Sequence, residues 1–128
     1  MQLRVECVGE CFLYVDPSEH YVLESYVMLF LQISRHMPES CPLHNEKTKK
    51  TMKDLMAKLE KMAKKYGVKM VGNWVAIPEH LIVSVYDAPT MEALLKLSME
   101  PEVMAWMGYN ITETMPVMTL EEVMKLLK

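Results

Sequence analysis

The sequence predicts an α+β fold of order β-α-β-β-α-β, with helices laid on one antiparallel sheet. Three observations carry that expectation. Tyr26–Ile33 is a nearly continuous apolar run of strand length, as a central strand covered on at least one face requires. From Asn45 to Tyr66 the residues Met52, Leu55, Met56, Leu59, Met62, Ala63 and Tyr66 recur at intervals of three and four, with lysines on the other faces. That is the period of an amphipathic helix. His80–Tyr86 is rich in β-branched residues and reads as a strand.

The remaining elements follow in order. Gly67 stops the first helix, as glycine commonly does after a helix C-terminus. Val68–Val75 is the second expected strand, and Pro78-Glu79 turns the chain into the third, His80–Tyr86. Asp87-Ala-Pro-Thr90 supplies helix-start chemistry for Met91–Met99. Pro101 breaks that helix and restarts it as a short segment, Pro101–Met107, closed by Gly108. Asn110–Met118 is the fourth strand, and Pro116 places it at an edge or at a bulge. Thr119-Leu-Glu-Glu122 is a capping box that opens a last helix through Leu127. The whole is the split βαβ, or ferredoxin-like, arrangement.

Residues 1–25 stand apart as an N-terminal extension of structural or oligomeric role. Gln2–Val8 and Cys11–Val15 can pair there as a small hairpin around Gly9-Glu10. The domain proper is residues 26–128.

Composition narrows the classes of function. At 128 residues the chain is one domain, small enough to gain from an oligomer partner. A net charge of -3, with lysines and acids interspersed, points to no nucleic acid and no phospholipid surface. No apolar run is long enough to span a bilayer. The start of the chain lacks a basic region followed by an apolar core, so a cytoplasmic location is expected. Three cysteines, an odd number, argue against a disulfide framework. Cys7 and Cys11 read as small apolar fillers of the extension, and most of the fourteen methionines as adaptable core filler rather than copper thioethers. There is no Gly-rich phosphate loop, no nucleophile elbow and no carboxylate pair at helix spacing.

The run His36-Met-Pro-Glu39-Ser-Cys41-Pro-Leu-His44 brings two imidazoles, a thiol and a carboxylate into nine positions. Such side chains bind soft or borderline transition metals. The spacing is not that of a zinc finger and names no metal. Its position does matter, because it falls between a strand and a helix, where ligands tend to sit.

Gly67-Val-Lys-Met-Val-Gly-Asn-Trp74, His80-Leu-Ile-Val-Ser-Val85, Glu102-Val-Met-Ala-Trp-Met-Gly108 and Thr112-Glu-Thr-Met-Pro-Val-Met-Thr119, taken with the order of elements, resemble the dimeric α/β-barrel superfamily. Within it the likeness is to small, functionally uncharacterised prokaryotic domains, over Tyr26 to Lys128. The resemblance implies a homodimer or higher homo-oligomer in which two four-stranded sheets face each other, with the helices outside. That superfamily also holds cofactor-free monooxygenases, muconolactone isomerases and haem-binding enzymes, so fold alone does not choose the function.

In such a sheet, of spatial order 4-1-3-2, the end of the first strand meets the starts of the third and fourth. His36, Trp74, His80, Trp106 and Tyr109 are therefore expected at one end of the domain. The inward stripe of the long helix extrapolates back through Thr48 to His44 and Cys41. Each residue also has a plain structural role: His44 at a helix start, Cys41 as a small buried residue, Glu39 against a helix dipole, the tryptophans as core or dimer anchors. Two functions compete, beside a third reading of a structural dimer with no small ligand. One is a transition metal (zinc, copper or iron) or haem, held by His36, Cys41, His44 and His80. The other is a cofactor-free enzyme on a small organic molecule, with His36 or His80 as general base and Asn73, Trp74, Trp106 and Tyr109 around the substrate. The thiol favours the metal, since a general base needs none.

Overall fold

The computed structural model describes residues 28–127. The expected N-terminal hairpin, and Tyr26 and Val27 of the expected first strand, lie outside the described residues. The elements run β1 (Met28–His36), α1 (Glu46–Lys65), β2 (Lys69–Ala76), β3 (Leu81–Ala88), α2 (Met91–Ser98), α3 (Pro101–Met107), β4 (Asn110–Val117) and α4 (Leu120–Leu126), with a 3₁₀ turn over Pro38–Ser40. The strands form one antiparallel sheet of order β2-β3-β1-β4. This is the expected ferredoxin-like α+β fold, and Pro116 does sit on an edge strand.

β1 runs three residues beyond the apolar run that marks it. Ser34 and Arg35 are flanked on one side by Ile82 and Leu81, and Ser34, Arg35 and His36 on the other by Thr112, Ile111 and Asn110. Two ladders hold polar residues in a strand that their own preference would end. The extension carries His36 to the end of the sheet.

α1 begins where the Asn45 side chain accepts from the backbone N–H groups of Lys47 and Thr48, which satisfies donors that the helix itself leaves open. Its buried face is Thr48, Leu55, Leu59 and Ala63. These meet Phe30, Ile82, Tyr86, Leu94, Leu97 and Trp106 in the core. Gly67 takes φ +69°, the left-handed conformation that favours glycine. Glu100, at the start of α3, is held to α1 by Lys65 at 3.1 Å and by the Tyr66 hydroxyl, which donates at 2.7 Å. Thr90 caps α2, and Thr119 with Glu122 forms the capping box of α4. Met52, Met62, Met70 and Met91 pack on the core as adaptable filler, but Met28, Met37, Met56, Met99, Met104, Met115, Met118 and Met124 are exposed, so core filling does not account for most of the methionines.

The helices cover one face of the sheet. Phe30, Ser34, His36, Ile82, Ser84 and Tyr86 are buried there, and the alternate residues Leu29, Leu31, Ile33, Val83 and Val85 point to the other face. β2 slips register between Met70 and Gly72. Beyond the slip, Asn73 and Val75 oppose Ser84 and Ile82, whereas Trp74 opposes Val83 and so shares the face that no described helix covers. The indole lies over Gly72, where a Cβ would collide with it. No helix among the described residues is long and apolar enough to cross a membrane.

Candidate metal centre

Three side chains reach one point from three different segments. His36 is the last residue of β1. His80 closes the β2–β3 turn, in which its N–H donates to the Ile77 carbonyl at 3.2 Å, and its own carbonyl accepts from the His36 N–H at 3.2 Å. The strand end and the turn are thereby fastened together. Cys41 follows the 3₁₀ turn, with its N–H on the Pro38 carbonyl at 3.2 Å and its carbonyl accepting from Asn45 at 2.9 Å. The sequence reading places His80 in β3, but it belongs to the turn and has φ +52°.

A side chain in that left-handed region costs about 1–2 kcal/mol, and such strain gathers at functional positions. Replacing His80 with glycine is therefore expected to stabilise the metal-free protein by about 1 kcal/mol in denaturant unfolding. The same change removes one member of the His36–Cys41–His80 group.

The ligand atoms of His36, Cys41 and His80 all lie within 4.8 Å of one another. Small side-chain rotations would let an ion with bonds of about 2.0–2.3 Å touch all three. The two imidazole rings meet edge to face with centroids 5.2 Å apart, and the Trp106 ring stands 6.2 Å from His36. Cys41 is 4% exposed and His36 8%. Both ring nitrogens of His36 and Nδ1 of His80 are buried without a hydrogen-bond partner among the described residues. Buried polar groups are nearly always paired, and an unpaired one costs about 1–3 kcal/mol. In front of the three lies a cleft of about 250 Å³, walled by Pro42, Leu43, Met52, Val75, Ile77 and Ile82.

Burial lowers the pKa of His36, and the neighbouring His80 lowers it further. The folded chain thus binds fewer protons than the unfolded one just below the ordinary histidine value of about 6.5. Stability contributed this way is present above that pH and is lost as the pH falls through the lowered value. The denaturation midpoint of metal-free protein should therefore drop below about pH 6.5, and a midpoint that rises on acidification would contradict the burial of a neutral imidazole.

His44 does not join the group. α1 starts at Glu46 with Asn45 as its cap, so the helical period no longer governs position 44, and the backward extrapolation of the stripe fails there. His44 is exposed, and its Nε2 donates to the Pro38 carbonyl at 2.8 Å. Glu39 is exposed in the 3₁₀ turn, its carbonyl accepting from Asn45 Nδ2 at 2.9 Å.

The four expected substrate residues divide. Trp106 adjoins His36. Asn73 accepts from the Ser84 hydroxyl at 2.9 Å and lines a second, smaller cavity of about 60 Å³ beneath α1, together with Trp106. Met52 and Ile82 border both cavities. Tyr109 is half-buried against the core, and Trp74 is 59% exposed on the face away from the cleft. The apolar wall was missed in the sequence because it carries no motif; only Met52 had a signal, its place on the inward stripe of α1.

No curated protein matches the chain. The family described as a domain of unknown function, DUF3303, matches residues 28–128, the span that opens at the first residue of β1 and takes in every element of the sheet and all four helices. The chain belongs to the DUF3303 family.

Proposed function

We propose that this domain binds a transition metal ion through His36, Cys41 and His80 and uses it for storage, sensing or redox chemistry. The observation that supports this most is the burial of three imidazole nitrogens with no partner of their own, beside a buried thiol. An ion would satisfy them together. A bare ion suits three donors gathered on one side better than haem, whose iron takes its protein ligands along one axis. In this reading His44 closes the corner before α1 and does not ligate. Cobalt(II) added to chelator-stripped protein is expected to give ligand-field bands and a thiolate charge-transfer band, lost in Cys41→Ser and in His80→Gly. Protein that takes up neither cobalt(II) nor copper(I) would contradict the reading.

A second copy of this chain is proposed as the partner, in the manner of a dimeric α/β barrel. The sheet face that no described element covers carries Leu29, Leu31, Ile33, Val83 and Val85, half-buried, with Trp74 and Met115 exposed beside them. A contiguous apolar surface of that kind marks an interface. Sedimentation at micromolar concentration is expected to show a dimer; a monomer would remove the barrel.

One observation favours the enzymatic alternative, in which a histidine is a general base. His36 is held neutral beside an apolar cleft large enough for a small organic molecule. Cys41→Ser separates the two, because a histidine base does not need the thiol and the metal does.

A further inference from the structure

We infer that the ion suited to this site is monovalent copper. The inference rests on the metal-binding reading and adds the identity of the metal. It comes from charge, donor softness and coordination number, all set by what lines the cleft.

Apart from His36, Cys41 and His80, the cleft is walled by apolar side chains and Met52. Among the described residues, no carboxylate and no cationic side chain lines it. Hard cations, which need several oxygen ligands, find none. The imidazoles bind metal as neutral ligands, and Cys41 binds as a thiolate. Copper(I) with one thiolate is electrically neutral. Zinc(II), iron(II) or copper(II) with the same donors keeps a net positive charge, which an apolar wall cannot solvate. A divalent ion would have to draw in hydroxide or another anion.

Coordination number points the same way. A closed structural zinc site takes four protein ligands, and three donors converge here among the described residues; a catalytic zinc, which takes three, would keep the net charge just described. Soft thiolate and thioether ligands suit copper(I) and zinc rather than hard cations, and Met52, half-buried on the inward side of α1, offers a further soft donor on the cleft wall. Binding involves no electron transfer. The Cys41 S–H bond breaks, a sulfur–copper bond forms, and one proton is released for each ion.

The test is anaerobic titration of the full, untagged, metal-free chain with copper(I) against bicinchoninate, a coloured competitor, followed by an equimolar zinc(II) challenge. Copper(I) should be retained at one ion per chain and not displaced by zinc. X-ray absorption at the copper edge should show two nitrogen donors and sulfur, with no oxygen. Cys41→Ser should cut copper affinity by at least ~100-fold, with His80→Gly as a second variant should the serine protein fail to fold. Displacement of copper by zinc, or an oxygen donor at the copper, would overturn the inference and leave the metal-binding reading standing. Retention of neither ion would overturn both.

Discussion

Replacing His36 with leucine is expected to stabilise the metal-free protein by about 1–3 kcal/mol and, in the same molecule, to abolish metal binding. Both ring nitrogens of His36 are buried and without a partner, so the folded state bears their desolvation with nothing in return. Leucine is of similar volume and has no polar atom to strand. The backbone bond from His36 to His80 does not involve the side chain and should persist. Denaturant unfolding of chelator-stripped protein gives the stability term, and the copper(I) retained against a coloured competitor gives the binding term. A large loss of stability would mean that the imidazole is a structural residue and would count against the metal centre.

Leu59→Ala should act in the opposite direction, lowering stability by about 2–5 kcal/mol while leaving the metal stoichiometry unchanged. Leu59 is 8% exposed on the buried face of α1 and borders the smaller cavity under the helix. Truncation would enlarge that cavity and remove apolar contacts from the helix–sheet contact. The Leu59 side chain does not line the metal cleft. An unchanged unfolding midpoint would show that this helix face is not what holds α1 to the sheet.

The opposite signs of these two effects reflect what the sequence could and could not disclose. Leu55, Leu59 and Ala63 were legible because a helix repeats, and burial of one face leaves a periodic trace. The strand order was legible because short connections and antiparallel pairing leave few alternatives. Ser34-Arg35-His36 was not legible as strand, since its pairing comes from residues almost fifty and seventy-five positions further along the chain. The register slip at Val71, which sends Trp74 to the uncovered face, has no signature in residue type. His44 lies apart from the cluster because the helix period does not carry across the cap. Cys41 and His80 were found, but the left-handed backbone of His80 emerged only from the turn that Ile77 and Pro78 close.

The central claim is that His36, Cys41 and His80 together hold a metal ion, and elemental analysis of untagged protein after anaerobic reconstitution and desalting measures this most directly. About one transition metal ion per chain is expected in the parent protein and almost none in Cys41→Ser. Parent protein that emerges metal-free, or a Cys41→Ser variant that retains as much metal as the parent, would contradict it.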